Sequence, residues 1–290
     1  MNGAASRTQA TRRSGSERDG RRGGELGALL RDWRSARGRS QLDVSLDANM
    51  SQRHFSFIES GRSTPGREKL IDIADALDIP LRERNALLVA AGYAPVYRDG
   101  GWDEPQMAGI TAAAARLLRQ QEPYPAMLMD RHWNVLSANA AALRFFGLFI
   151  DMAGRTGPRN ILHLMFDPAG MRPFIHNWDM VASSLLGRVR REAVGGVLDP
   201  RTRELIDALQ AYPGTPARRE TPQSASDLPM VPLSFERDGT LLSYFSMVCT
   251  VGTPTGVAAQ ELRVECMFPA DGATECRHLE IMGVQPSNPQ

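Results

Sequence analysis

Cysteine is scarce: Cys249, Cys266 and Cys276 are widely spaced and form no CxxC pair. That argues against a thiolate zinc site and against a disulfide framework, and a reduced, cytoplasmic compartment is expected. Long apolar runs are missing too. No stretch of about 18 apolar residues occurs, which argues against a membrane-spanning helix, and the N-terminus carries no apolar run of the kind a signal peptide needs. His163, His176 and His278 fall in no metal-binding spacing. No nucleophile motif, phosphate loop or paired catalytic carboxylate stands out. An enzyme is therefore the least favoured class, and neither a metal nor a cofactor is expected. Lysine is almost absent, Lys69 standing among 34 Lys and Arg residues. Arginine is the side chain best suited to forked contacts with phosphate and guanine, although GC-rich coding produces the same bias.

What remains is ample for two cores of ordinary size: 290 residues, 42% apolar and 23% charged. The net charge of +1 does not point to nucleic acid, but its distribution does. Arg7, Arg12, Arg13, Arg18, Arg21, Arg22, Arg31, Arg34, Arg37 and Arg39 crowd the N-terminal end against Glu17, Asp19, Glu25 and Asp32. Residues 1–23 are rich in Gly, Ser, Thr and Arg, so a disordered basic tail is expected there, with an arm reaching a DNA groove as the alternative.

Residues 24–94 read as five short helices. Leu26, Leu29, Leu30 and Trp33 recur at helical spacing up to Gly38. Ser40 caps a second helix with Leu42, Val44 and Leu46, and Ser51 caps a third with Phe55 and Ile58 that stops at Gly61. Pro65 opens a fourth with Leu70, Ile71, Ile73, Ala74 and Leu77. The fifth carries Leu81, Leu87, Leu88 and Val89 up to Gly92. Residues 95–106 form a linker rich in Gly and Pro.

Residues 107–280 change character, with a short C-terminal tail at 281–290. Helices are expected over Ile110–Gln121, Ala140–Phe146, Met171–Ala193 and Pro200–Ala211. Strands are expected around Met127–Asp130 and Trp133–Ser137, then Val231–Glu236, Leu241–Val251 and Ala259–Phe268, with an Asp238-Gly239 hairpin turn. The fold class is a helical helix-turn-helix domain followed by an α+β domain with an antiparallel sheet.

The run Ser51-Gln52-Arg53-His54-Phe55-Ser56-Phe57-Ile58-Glu59-Ser60-Gly61-Arg62, preceded by Ser40-Gln41, resembles the Cro/repressor (XRE) family of helix-turn-helix proteins. Asn49 stands where Gly is common at the turn, and Asn tolerates left-handed geometry. The resemblance implies base reading by Gln52, Arg53, Ser56 and Phe57, and phosphate binding by Gln41, Ser51 and Arg62, with His54 in either set. Gln suits adenine, Arg suits guanine and a Phe suits a thymine methyl. Glu59 reads as structural, because a carboxylate facing phosphate repels it.

Further on, Pro125 to Ala142 and Asn160-Ile161-Leu162-His163-Leu164-Met165-Phe166-Asp167-Pro168 look like the ligand-binding domain of MmyB-like regulators. That resemblance implies a PAS-like fold and an apolar, fatty-acid-like ligand. Met127, Met129, Trp133, Phe145, Phe146, Met165, Phe166, Trp178 and Phe245 are the candidate lining residues, since methionine and aromatics suit irregular apolar ligands. The same residue types also make ordinary core. The resulting expectation is a homodimeric, sequence-specific binder of operator DNA that senses a small apolar molecule. The alternative is a second domain that serves only dimerisation or partner binding.

Overall fold

The computed structural model describes residues 23–192, 199–216 and 230–284. The tail expected over residues 1–23 lies outside these apart from Gly23, as does most of the loop rich in Pro and Ser that follows Pro213. The described residues form two compact units, one holding residues 23–99 and the other most of those from Gly100 onward.

The first unit is all helical: α1 (23–36), α2 (Gln41–Asp47), α3 (Gln52–Glu59), α4 (Arg67–Ala76) and α5 (Leu81–Ala90). Local chemistry sets the helix ends. Ser40 and Asp43 form a reciprocal capping box, the Ser40 hydroxyl accepting from the Asp43 amide at 3.1 Å and the Asp43 carboxylate from the Ser40 amide at 2.9 Å. Asn49 takes the turn in left-handed geometry at φ 48°. The Ser51 hydroxyl then accepts from the His54 amide and starts α3.

Leu26, Leu30, Trp33, Val44, Phe55, Ile58, Leu70, Ile73 and Leu77 share one buried core. A buried side chain of this size contributes about 2 kcal/mol through water exclusion alone. Three apolar residues expected on these helices are exposed instead. Leu42 is 49% exposed, Leu46 68% and Val89 55%, because α2 turns only Val44 and Ser45 inward and α5 turns in Leu87 and Leu88. Gly27 allows the helices to close up: a Cβ there would stand 2.3 Å from the Glu59 carbonyl oxygen.

The second unit is built on an antiparallel sheet in the order β2-β1-β5-β4-β3, from β1 (Ala126–Met129), β2 (Val135–Ala138), β3 (Leu233–Arg237), β4 (Thr240–Thr250) and β5 (Arg263–Pro269). It is the α+β, PAS-like arrangement the sequence led us to expect. Asp238 and Gly239, at φ 51° and 75°, make the hairpin between β3 and β4. One face of β1 and β5 buries Ala126, Leu128, Val264 and Cys266 under α6 (Ala108–Gln120). The other face carries Met127, Met129 and Met267, as strand alternation requires.

The remaining helices are α7 (Ala140–Gly147), α8 (Ile161–Phe166), α9 (Trp178–Glu192), α10 (Pro200–Gln210), α11 (Val257–Glu261) and α12 (Gly272–Met282). Two of the expected elements change. The single helix expected over Met171–Ala193 is a short 3-10 turn, Arg172–Phe174, followed by α9. Pro173 lacks an amide proton, and the backbone at Ile175 and His176 instead joins the edge of β3, the His176 amide donating to Ser234 at 2.8 Å. The run Ala259–Phe268 starts as the end of α11 and becomes strand only at Arg263. α8 and α12 were not expected as helices, and α12 runs past residue 280 to Met282.

Candidate functional site

On the first unit, α3 divides cleanly by environment. Phe55, Ile58 and Glu59 are buried, whereas Ser51, Gln52, Arg53 and His54 at its N-terminal turn are exposed and Ser56 and Phe57 are half-buried. No acid occupies that first turn. The Ser51 oxygen is used in capping, and its hydroxyl proton is left to donate. The exposed turn therefore presents an amide, a guanidinium, an imidazole and a hydroxyl, all able to donate to phosphate or a base edge.

The opposite end of α3 is clamped. The Glu59 carboxylate accepts from Arg34 Nε at 2.7 Å and from Gln41 Nε2 at 2.7 Å, while Arg31 donates to the Glu59 carbonyl at 2.9 Å. Since a carboxylate only accepts, the Gln41 amide must turn its nitrogen toward Glu59, leaving one of its two protons for a phosphate. Lys69 secures the turn before α3 by donating to the Ala48 carbonyl at 2.9 Å and pairing with Asp72 at 2.7 Å. Sequence reading missed this role of Lys69; a lone basic residue on a neighbouring helix carries no local signal.

Phe57 is placed unlike the other expected readers. The guanidinium of Arg53 lies 5.4 Å from its ring centroid and that of Arg62 lies 5.8 Å from it.

On the second unit, a cleft of about 500 Å³ opens at the β2 edge of the sheet. Met127, Val135 and Leu136 form its floor, Ala142 and Phe146 of α7 one wall, and Ile161 and Leu164 of α8 another. Its rim is the segment from Met152 to Asn160, including Arg155 and Arg159. Asn160 organises this rim. Its carboxamide caps α8 by accepting from the Leu162 and His163 amides, and it donates to the His132 carbonyl at 2.7 Å. The Val135 amide donates to the Arg159 carbonyl at 2.7 Å, so the rim pairs with the free edge of β2. Arg155 is held by Asp167 at 2.9 Å. Arg159 is exposed and makes no ion pair among the described residues.

Of the residues expected to line a ligand site, Met127 and Phe146 meet in this cleft. Met129 and Met165 are buried away from it. Phe145 is the hub of an aromatic core, its ring edge-on to Phe146, Phe149, Phe235 and Tyr244 at 5.1 to 5.4 Å. Phe166 packs edge-on against Trp178 at 4.9 Å, and the Trp178 indole donates to the Gly214 carbonyl at 2.7 Å beneath the guanidinium of Arg172. Trp133, at φ 68°, has the guanidiniums of Arg188 and Arg263 over its ring at 4.4 and 5.5 Å. Phe245 stacks on Phe268 on the sheet face that carries α6. Ala142, Ile161, Leu164 and Arg159 escaped sequence reading because small and aliphatic residues reveal a cavity only when the elements around it are assembled.

A buried histidine, His278, and a half-buried one, His163, complete the domain. His278 donates from Nε2 to the Pro123 carbonyl at 3.0 Å and accepts at Nδ1 from the Tyr244 hydroxyl at 2.7 Å. Burial holds its pKa below the ordinary histidine value, as it does for His163, which Arg155 lowers further. Burial also pushes the Cys266 thiol up to about 11. Among the described residues no group of His, Cys, Asp and Glu is arranged to hold a metal ion, and no helix is long and apolar enough to cross a membrane.

These features define a helix-turn-helix domain joined to an α+β domain that encloses an apolar cleft. A family model described as the MmyB-like transcription regulator ligand binding domain matches residues 110–279, and one described as a helix-turn-helix domain matches residues 25–87. The chain belongs to the MmyB-like transcription regulators, and is thus a DNA-binding regulator with a ligand-binding domain. A search of curated proteins finds no match.

Proposed function

We propose that this chain is a cytoplasmic, homodimeric regulator of the XRE kind, which reads an operator with α3 and changes its affinity when a fatty-acid-like molecule enters the β2 cleft. The observation that carries the ligand half is the cleft itself. Its volume of about 500 Å³ falls in the range of small-molecule sites. Its walls at Met127, Ala142, Phe146, Ile161 and Leu164 are apolar, and Arg159 at its rim has its charge unspent. An apolar chain fits the walls and an acid head fits the arginine.

In this reading Gln52, Arg53 and Ser56 meet base edges from the exposed first turn of α3. Ser51, His54 and the second amide proton of Gln41 face phosphates. A two-fold pair of such helices matches half-sites one helical turn apart, and this is why a homodimer belongs to the proposal. The ligand acts only through a difference in its affinity for two conformations. Rim and sheet are suited to carry that difference, since Asn160 is bonded to the β1–β2 connection and Arg159 to the first residue of β2.

The test has two arms. Native mass spectrometry and thermal shift of the purified chain with a long-chain fatty acid should reveal one bound molecule. Mobility shift on the DNA upstream of its own coding region should weaken when Gln52 and Arg53 become Ala. Absence of any lipid adduct or thermal shift would leave a second domain devoted to dimerisation; equal DNA binding by wild type and mutant would sink the reading role of α3.

A further inference from the structure

Phe57 sits where a base-reading side chain is expected, yet its ring is approached by two cations, Arg53 and Arg62. The arrangement follows from backbone geometry. Arg53 is four residues before Phe57 on α3, so their side chains share one face of the helix. α3 ends in a Schellman turn: the Gly61 amide donates to Ile58 at 3.0 Å and the Arg62 amide to Phe57 at 2.8 Å. Gly61 accepts the left-handed conformation, φ 73°, that this turn needs. In such a turn the residue after the glycine packs against the residue three positions inside the helix end. Here that pair is Arg62 and Phe57.

Neither guanidinium is engaged by an acid. Arg53 and Arg62 are exposed and their side chains form no ion pair or hydrogen bond among the described residues, in contrast to Arg34, Arg37 and Arg39, which pair with Glu59, Asp78 and Asp47. Their charge is oriented by an apolar ring, which competes for none of their N–H donors.

We propose that Phe57 is a positioning residue for DNA recognition: its ring pre-orders Arg53 and Arg62 so that α3 meets the duplex with two aligned, unneutralised guanidiniums. This rests on α3 being the reading helix. It replaces the thymine-methyl contact with an indirect role, and it assigns Arg62 to the same cation pair as Arg53. A free arginine gives up considerable rotamer entropy when it binds, and one held beforehand gives up less.

The experiment uses the full chain and a duplex selected by the wild-type protein from a random pool, with binding read by fluorescence anisotropy. Phe57→Leu should weaken binding about tenfold, and Phe57→Tyr should retain wild-type affinity, since both rings offer a π face. In an Arg53→Ala/Arg62→Ala background, Phe57→Leu should change affinity by less than about twofold. In the DNA-free protein, nuclear magnetic relaxation of the two arginine Nε–H groups should report greater mobility in Phe57→Leu and wild-type rigidity in Phe57→Tyr. An undiminished Phe57→Leu loss in the double-alanine background means that the ring touches DNA itself and overturns the proposal. Unchanged arginine mobility in Phe57→Leu overturns it as well. Failure of the underlying reading looks different: Gln52→Ala and Arg53→Ala would then leave affinity untouched, whatever happens at Phe57.

Discussion

The side-chain amide of Gln41 donates to the carboxylate of Glu59 at 2.7 Å, joining the first residue of α2 to the last residue of α3. The Glu59 side chain is 2% exposed and also accepts from Arg34. Removing it strands a partly buried guanidinium and frees α3 from its neighbours. Glu59→Ala should therefore destabilise the helix-turn-helix domain by about 3 kcal/mol. Urea unfolding followed by circular dichroism measures this, and a loss under about 0.5 kcal/mol would show that the clamp is dispensable.

Two glycines of α1 should respond in opposite ways to the same change. A Cβ at Gly27 would collide with the backbone of Glu59, which cannot move aside as a flexible side chain can. Gly27→Ala should cost roughly 2 kcal/mol in spite of the higher helix propensity of alanine. Gly24 faces open space, and Gly24→Ala should be neutral or stabilising by up to about 1 kcal/mol. Parallel melting curves of the two variants decide the matter.

The neutral ring of His278 is built into the core of the second domain, for only the neutral form both accepts from Tyr244 and donates to Pro123. Its folded pKa lies below the unfolded value. The unfolded chain consequently takes up a proton first as pH falls, so the stabilisation is complete above about pH 6.5 and declines from there downward. His163 acts with the same sign. The melting temperature of the domain should drop between pH 7.5 and 5.5, approximate limits chosen to bracket the free histidine value. His278→Gln should flatten that slope, and an unaltered slope would place the titration elsewhere.

Occupancy of the cleft should depend on its small wall residue and on its rim charge separately. Ala142 is buried against the space, so Ala142→Leu should abolish the thermal shift given by a long-chain fatty acid. Arg159→Ala should weaken the acid about tenfold and leave the matching fatty alcohol unaffected. An equal effect on acid and alcohol would mean that Arg159 does not meet the head group.

Much of the fold was legible because local chemistry repeated it. Ser40, Ser51, Asn139 and Asp199 each cap the helix that follows them, and Asp238-Gly239 supplies a hairpin turn between alternating apolar runs. Where the signal is tertiary, reading along the chain falls short. Phe174, Trp178 and Val181 recur at helical spacing, yet Ile175 among them bridges Phe235 on an open strand edge. Leu42 and Leu46 look like core by type, but α2 carries them on its outer side.

The candidate sites divide along the same line. The exposed turn of α3 was readable from Ser51 to Ser56, since one cap and one helical period decide which side chains face outward. The partners of Phe57 were not, although both lie within five residues of it, because the meaning of the ring depends on where a Schellman turn delivers Arg62. The ligand cleft is further still from the sequence. Its large residues mostly pack against one another, and the space is left by Ala142, Ile161 and Leu164, whose small or ordinary side chains announce nothing until β2, α7 and α8 are set around them. Caps, turns and periodicity are short-range and are written in neighbouring residues. A cavity, an ion clamp such as Glu59, and the single lysine that pins the turn at Ala48 are contacts between segments distant in sequence, and packing alone decides them.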